Sequence, residues 1–249
     1  MNKRAVEIMD TTLRDGEQTS GMSFSAYEKL IISKLLIEEL KIDRIEVASA
    51  RVSVGEFQAV KNITSWANSN GYLNKIEILT FLDKGISLEW LLKSGAKVQN
   101  LLTKGSLNHL THQIKKTPDE HFKEISKSID LAKKEGISTN VYLEDWSNGM
   151  RNSKKYVFDY LDFLTKEPVD RILLPDTLGI LSPIETFTYI SEIIKKYPKT
   201  HFDSHAHNDY DLSVSNVIEG LKAGCHGLHL TVNGMGERAG NAPMASVAA

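Results

Sequence analysis

A single cysteine, Cys225, is all the thiol chemistry that these 249 residues carry. No internal disulfide can form, which fits a reducing cytoplasm, the expected location. Cys225 follows Ala223-Gly224 and precedes an apolar stretch, so it reads as a small buried hydrophobe. No apolar run approaches the ~20 residues of a membrane span. Met1-Asn2-Lys3-Arg4 leads straight into a mixed segment without a signal-peptide core. An excess of one charge is also missing. Lys and Arg number 30 against 32 Asp and Glu, a net charge of -2 with no basic block. Neither nucleic acid nor an anionic membrane is therefore an expected partner. Linkers, low-complexity tracts and internal repeats are absent, so residues 1–249 are expected to form one domain. A content of 41% hydrophobic and 25% charged residues is enough for a sizeable core.

What is present is a regular alternation. Short apolar runs predict strands at Ala5–Leu13, Arg44–Ala50, Lys75–Leu82, Lys97–Lys104, Ser138–Asp145, Arg171–Leu178, His201–Asp209 and Gly227–Met235. Most are rich in Val, Ile and Leu, as strands buried on both faces are. Between them, amphipathic stretches predict helices at Ala26–Leu40, Val54–Asn70, Ser87–Gly95, Pro118–Gly136, Lys154–Lys166, Pro183–Tyr197 and Ser213–Gly224. Thr117-Pro118-Asp119-Glu120 and Ser182-Pro183-Ile184-Glu185 place proline at a first helical position. Gly95, Gly136 and Gly224 fall where C-terminal caps belong. Eight strands and seven full helices, at roughly 30 residues per unit, predict an α/β fold, the (β/α)8 barrel. An open doubly wound sheet is the alternative, but no Gly-x-Gly-x-x-Gly turn follows the first strand. The eighth helix, Ala242–Ala249, is incomplete, and the expectation is an N-terminal portion of a longer protein.

In such a barrel, active groups come from the C-terminal ends of the strands and the loops beyond them. Arg14 and Asp15 follow strand one, and Glu144 ends strand five. Asp176 and Thr177 end strand six, and His205 and His207 end strand seven. Asn233 lies near the end of strand eight, ahead of Gly236-Glu237-Arg238-Ala239-Gly240-Asn241. All fall at one mouth, where chance would scatter them over both ends. The pair His205-Ala206-His207 is the sharpest signal. Period-2 geometry points both imidazoles to one side, and two neutral imidazoles are half of a divalent-metal site. The other half is sought in Asp10-Thr11-Thr12-Leu13-Arg14-Asp15-Gly16-Glu17-Gln18, which requires a fold that closes on itself.

That first segment, His205-Ala206-His207-Asn208-Asp209, and Asn233-Gly234-Met235-Gly236-Glu237-Arg238-Ala239-Gly240-Asn241 together carry a resemblance. Over essentially its whole length, the chain resembles the barrel family of Claisen-condensing synthases and related lyases, which includes 2-isopropylmalate, citramalate and homocitrate synthases. Asn100-Leu101-Leu102-Thr103-Lys104-Gly105-Ser106 and Asn140-Val141-Tyr142-Leu143-Glu144-Asp145-Trp146-Ser147-Asn148-Gly149 look most like citramalate synthase.

The resemblance implies a divalent cofactor, Mg, Mn or Zn, held by Asp15, His205 and His207, with Asn241 as a fourth ligand. It implies acetyl-CoA and a 2-keto acid as partners, and a homodimer. Arg14 would stabilise charge on the reacting oxygens. Glu144 would do acid/base work, and Thr177 would hold the keto-acid carboxylate. Leu79, Leu102 and Tyr142 would face the keto acid's side chain. An apolar wall disfavours 2-ketoglutarate, whose second carboxylate would be unpaired, and bulky residues favour pyruvate over 2-ketoisovalerate. One or two methyl groups are worth only ~1–3 kcal/mol of discrimination.

Plainer readings stand beside these. Leu79, Leu102 and Tyr142 also suit the barrel core. Asp203 suits a supporting hydrogen bond, and Glu17 and Gln18 suit loop anchoring. Glu237 and Arg238 suit a mutual ion pair, and His226 and His229 suit packing or surface positions. Two other functions stay open: a carbon–carbon lyase of the hydroxymethylglutaryl-CoA lyase type, and a metal-binding barrel without turnover. The lyases place a cysteine in the loop after strand eight, and Gly234–Asn241 has none. The synthases draw further residues, including a histidine, from a C-terminal region, which keeps the third reading open.

Overall fold

A computed structural model describes residues 6–249. Eight parallel strands close into a barrel in chain order. They are β1 Glu7–Asp10, β2 Arg44–Ser49, β3 Ile76–Phe81, β4 Val98–Lys104, β5 Ser138–Glu144, β6 Arg171–Asp176, β7 Phe202–Ala206 and β8 Gly227–Leu230. Closure is made by β8 on β1, with Glu7 opposite Gly227 and Asp10 opposite Leu230. This pairing brings the first and last motifs of the chain side by side. The open-sheet alternative is thereby excluded. Of the first predicted strand, Ala5 lies outside the described residues.

The helices form the outer layer: α1 Ala26–Lys34, α2 Val54–Ser69, α3 Ile86–Ser94, α4 Pro118–Lys134, α5 Trp146–Asn152, α6 Lys154–Leu164, α7 Pro183–Lys196, α8 Ser213–Ala223 and α9 Met244–Ala248. Ser25, Thr117 and Ser182 begin α1, α4 and α7 with full capping boxes closed by Glu28, Glu120 and Glu185. Among the described residues, no helix is long and apolar enough to cross a membrane.

The structure corrects the sequence reading in four places. Ala26–Leu40 is not one α-helix, because Leu35–Glu39 widens into a π turn. The predicted eighth strand stops at Leu230, and Asn233 sits in a tight turn with φ 54°. His207 lies just beyond β7 and pairs with Asn241 in an isolated antiparallel bridge. Finally, α5 is an extra helix. Gly149 reads as a break but is needed for close approach: a Cβ there would collide with the Gly105 carbonyl oxygen. Bringing α5 against the end of β4 in this way packs Gly105, Glu144 and Asp145 together.

Two large apolar clusters lie between the sheet and the helices, one around Val47, Ile63 and Ile78, the other around Val141, Tyr160 and Phe202. The barrel interior is different. Its apolar part is small: Met9, Leu79, Tyr142 and Leu173, joined by Phe81 and Leu102. The rest is polar. Arg44 of β2 reaches across the lumen to Asp203 of β7 at 2.5 Å and pairs with Glu77 of β3 at 3.0 Å. Several strands therefore alternate, with an apolar side facing the helices and a polar side facing inward. They do not have two equivalent apolar faces, as the sequence reading expected.

Candidate active site

The loop after β1 is built first by its backbone. The Thr11 carbonyl accepts hydrogen bonds from the N–H groups of Arg14, Asp15 and Gly16 at 2.8–3.1 Å. Asp10 accepts from the Thr12 N–H and hydroxyl, and the Thr12 hydroxyl accepts from the Val232 N–H. Burial pushes the Asp10 carboxyl up to about 7, against the pull of Thr12. These bonds fix Arg14 and Asp15 at the C-terminal mouth of the barrel, next to the end of β8.

There, Asp15 meets the two histidines. His205 Nε2 is 3.3 Å from Asp15 Oδ2 and 3.3 Å from His207 Nε2, and His207 Nε2 is 3.7 Å from Asp15 Oδ2. All three residues are buried, and they are the one group of three such donors among the described residues that could hold a metal ion. Burial lowers both imidazoles, against Asp15, with His207 near 4, so both are neutral at pH 7. Burial works to raise Asp15, but Arg14 and the two imidazoles overcome it and hold the group well below the usual carboxylate range.

The donor set fits a divalent ion. Ligand atoms each bound at about 2.0–2.2 Å to one centre are separated by distances of this order. Neither Asp15 oxygen has a hydrogen-bond partner, and the buried Asn241 Oδ1 has none either. Leaving such atoms unpaired costs about 1–3 kcal/mol each, more for a charged group. Asn241 is brought to the site by its bridge to His207, and its Nδ2 donates to the Met235 carbonyl at 3.2 Å. Gly236 is required beside it, because a Cβ at that position would overlap the Asn241 amide.

Arg14 sits over this group. Its Nη1 is 3.5 Å from Asp15 Oδ2, its Nη2 donates to the Tyr142 hydroxyl at 3.5 Å, and its Nε donates to Glu46. Burial opposes the cation, but Glu46 and Asp15 more than compensate and raise its pKa. Glu46 is fully buried and also accepts from Asn100 Nδ2 at 2.7 Å. The surrounding cavity is about 290 Å³, and Leu79, Leu102, Tyr142, Glu144, Thr177 and Gln18 share its lining with the metal-site residues. Larger depressions lie between α2 and α3 and at the opposite end of the barrel, about 550 and 440 Å³. Neither is lined by the Asp15, His205 and His207 donor group.

The structure thus places Arg14, Asp15, Leu79, Leu102, Tyr142, Glu144, Thr177, His205 and His207 around this cavity, with Asn241 bridged to His207, and their roles are separate proposals. Leu79, Leu102 and Tyr142 are at once barrel core and cavity wall. Glu144 pairs with Lys104. The Thr177 hydroxyl accepts from the Asp145 N–H at 2.9 Å. Glu17 anchors the first loop, accepting from the Phe24 N–H at 2.8 Å and pairing with the buried Lys29 at 2.6 Å, whereas Gln18 lines the cavity. Arg238 pairs with Glu237, but it also grips Asp209 at 2.7 and 2.8 Å and the Thr177 carbonyl at 2.7 Å. Asp203 is a supporting partner, and His229 is a buried hydrogen-bonding residue between Asp203 (3.1 Å) and Tyr142 (3.0 Å). Sequence reasoning missed Glu46, Phe81 and the hydrogen-bonding role of His229. The alternation Arg44-Ile45-Glu46-Val47 could have revealed the first.

Fold and site together define a (β/α)8 barrel with a buried Asp/His/His donor cluster at its C-terminal mouth. The chain belongs to the HMGL-like family, whose model matches residues 5–249. It is 33% identical over 249 residues to 2-isopropylmalate synthase of Sulfolobus acidocaldarius, covering 99% of this chain and 62% of that protein. It is 34% identical over 248 residues to (R)-citramalate synthase of Methanocaldococcus jannaschii, covering 98% of this chain and 48% of that one. The chain therefore spans about half to three-fifths of the length of these relatives. Among solved structures, hydroxymethylglutaryl-CoA lyase from Pseudomonas aeruginosa superimposes with a TM-score of 0.79 at 16% identity, covering 98% of this chain and 84% of that one. At that identity the likeness is one of fold.

Proposed function

We propose that this barrel carries the active site of an acyltransferase that condenses acetyl-CoA with a small 2-keto acid. The observation that carries the reading is the convergence of Asp15, His205 and His207, with Arg14 and Glu144 on the same small cavity. The names of the relatives support it. Asp15, His205 and His207 would hold a divalent ion, with Asn241 as a further donor. When bound, the ion supplies Lewis acidity to the carbonyl and carboxylate oxygens of the keto acid.

The chain's own residues do the rest. The Thr177 hydroxyl hydrogen-bonds the keto-acid carboxylate and fixes its orientation. Glu144 takes a proton from the acetyl methyl group. As that C–H bond breaks, the resulting enolate carbon attacks the keto carbon, and the carbonyl pair moves onto oxygen. Arg14, fixed by Glu46, faces the negative charge that develops on these oxygens. The alkoxide then takes up a proton, and water cleaves the thioester to release CoA and a 2-hydroxy diacid. The wall of Leu79, Leu102 and Tyr142 offers no cation to a second carboxylate, which weighs against 2-ketoglutarate. Its bulk favours pyruvate, giving citramalate, with 2-ketoisovalerate, giving 2-isopropylmalate, next.

The lyase reading fits less well. The one thiol, Cys225, is buried ahead of β8 and is not among the residues lining the cavity. The test is release of CoA thiol from acetyl-CoA with pyruvate, 2-ketoisovalerate or 2-ketoglutarate in the presence of Mg, Mn or Zn. Release is expected with pyruvate first, and release with none of the three rejects the synthase reading.

A further inference from the structure

Glu144 divides its two oxygens between unlike neighbours. Oε2 pairs with the Lys104 ammonium, while Oε1 lies 3.8 Å from Nδ1 of His109, which opens a π turn, His109–Gln113, after β4. His109 Nδ1 is itself buried and has no hydrogen-bond partner. The other ring nitrogen, Nε2, is 3.5 Å from Oδ2 of Asp145, which is fully buried. Asp145 is held firmly. Its Oδ2 accepts from the Ser106 hydroxyl at 2.6 Å and its Oδ1 from Asn148 Nδ2 at 2.8 Å. Ser106 in turn accepts from the His109 backbone N–H at 3.1 Å, so the turn and the carboxylate are tied together with the imidazole beside them. Asp145 sits at φ 67°, a left-handed conformation that turns the chain out of β5 and sets the carboxylate behind the ring.

Imidazole between a buried carboxylate and a second acid/base group is the arrangement in which the carboxylate selects the tautomer and the far nitrogen exchanges the proton. We propose that His109, oriented by Asp145, takes up and returns the proton that Glu144 carries during the condensation; this rests on the reading of Glu144 given above. The charged groups facing the ring are Glu144 and Asp145 from the end of β5, with Lys104 of β4 behind Glu144. Lys104 pairs with Glu144 on the side away from the ring. When Glu144 has taken the methyl proton, its neutral carboxyl passes that proton from Oε1 to Nδ1, and the imidazolium is balanced by Asp145. The same path run backwards returns one proton through Glu144 to the new alkoxide, so the proton count closes. A separation of 3.8 Å exceeds a hydrogen bond, and a side-chain rotation at Glu144 closes it, as acid/base contacts commonly tighten when substrate binds. His109 is not among the residues lining the reaction cavity, so it acts through Glu144 as a positioning and relay residue.

The test compares wild type with His109→Gln in the thiol-release assay with pyruvate and acetyl-CoA across pH. The variant should lose about 100-fold in kcat with KM for pyruvate nearly unchanged, and one limb of the kcat–pH profile should disappear. Unchanged kcat and an unchanged profile in a folded variant overturn the relay. A second measurement does not depend on turnover: the ¹⁵N shifts of the His109 imidazole followed against pH in wild type and in Glu144→Gln. The relay requires the His109 titration to move when Glu144 loses its charge, and a titration that stays put overturns it. A wild-type protein that releases no thiol with any keto acid rejects the proposed function instead, and the imidazole titration then decides the coupling on its own.

Discussion

The loop after β1 rests on a buried lysine, and replacing it should show how much that support is worth. Lys29 of α1 is fully buried. Its ammonium lies 2.6 Å from Glu17 Oε2, 2.7 Å from Glu56 Oε1 and 3.0 Å from the Leu13 carbonyl. Lys29→Met keeps the chain length and removes the charge. The two carboxylate oxygens then stand no more than about 5 Å apart, a repulsion of about 3 kcal/mol at an effective dielectric of about 20. Losing the donor to Leu13 adds about 1 kcal/mol. Solvent reaches 20% of the Glu17 side chain and 13% of Glu56, which screens part of the repulsion. The net loss should be about 3 kcal/mol, a large share of the roughly 5–15 kcal/mol that holds a domain together. Urea denaturation should show the midpoint falling with little change in slope. Neutralising one partner in Lys29→Met/Glu17→Gln should recover about half of the loss. Because Glu17 anchors the loop that presents Arg14 and Asp15, divalent-metal affinity should fall with stability. A cost below about 1 kcal/mol, or no recovery in the double variant, would refute this electrostatic account.

Metal at about 100 times its dissociation constant should add about 2.7 kcal/mol, or roughly 5–10 °C in Tm for a chain of this size. His207→Ala should lose both that shift and stoichiometric metal by elemental analysis, and a variant that keeps one ion per chain would show the donor set to be wrong. Leu79→Ala should shift the ratio of kcat/KM from pyruvate toward 2-ketoisovalerate by about 10-fold or more; an unmoved ratio removes Leu79 from the specificity wall. His121 of α4 accepts from the Lys104 N–H at 3.2 Å, and burial lowers it from an ordinary 6.5 to about 4. The unfolded chain then binds the extra proton, so stability should fall as pH drops from about 6.5 to 4, by about 3 kcal/mol from this group, and level off below. Comparing denaturation of wild type and His121→Gln across that window checks it: equal slopes would mean that His121 is not the group responsible.

Barrel order and the mouth were legible because they depend on periodicity and on strand ends, both local properties. The His-x-His pair survived even though His207 lies outside β7, since one residue of extended chain past the strand keeps the same alternation, here enforced by the bridge to Asn241. The lumen was less legible. Counting Val, Ile and Leu made the strands look apolar on both faces; the alternation in β2 marks Arg44 and Glu46, but their joining with Glu77, Asn100 and Asn140 is visible only once β2–β5 share an interior. Helix α5 was hidden because Gly149 looks like a breaker until Gly105 is seen against it. His109 opens a five-residue π turn, His109–Gln113, too short for a period to mark a side chain as facing a site. Its significance depends on β4 and β5 being neighbours.

The polar lumen links the far end of the barrel to the reacting end. Burial would raise Asp203, but Arg44, with His201 and His229, drives it well below the carboxylate range, so it is ionised and can only accept. His229 Nε2 must therefore donate to it, and because burial keeps that ring neutral, Nδ1 must accept. The hydroxyl 3.0 Å away belongs to Tyr142, which burial, and secondarily Glu46, keeps protonated, so Tyr142 donates to His229. Its remaining lone pairs face Arg14 Nη2. Meanwhile Glu77, held by Arg44, accepts from Asn140; Asn140 donates to Asn100; and Asn100 donates to Glu46, which grips the other side of Arg14. The hydrogen bonds thus close a ring through both ends of the barrel, and on the arm through His229 and Tyr142 the donor directions follow from the charge state of Asp203. Asp203→Asn would let His229 take either tautomer, free the Tyr142 hydroxyl to turn, and loosen Arg14 through two intervening side chains. The orientation of the Arg14 guanidinium at the mouth is in this sense set from the floor of the barrel.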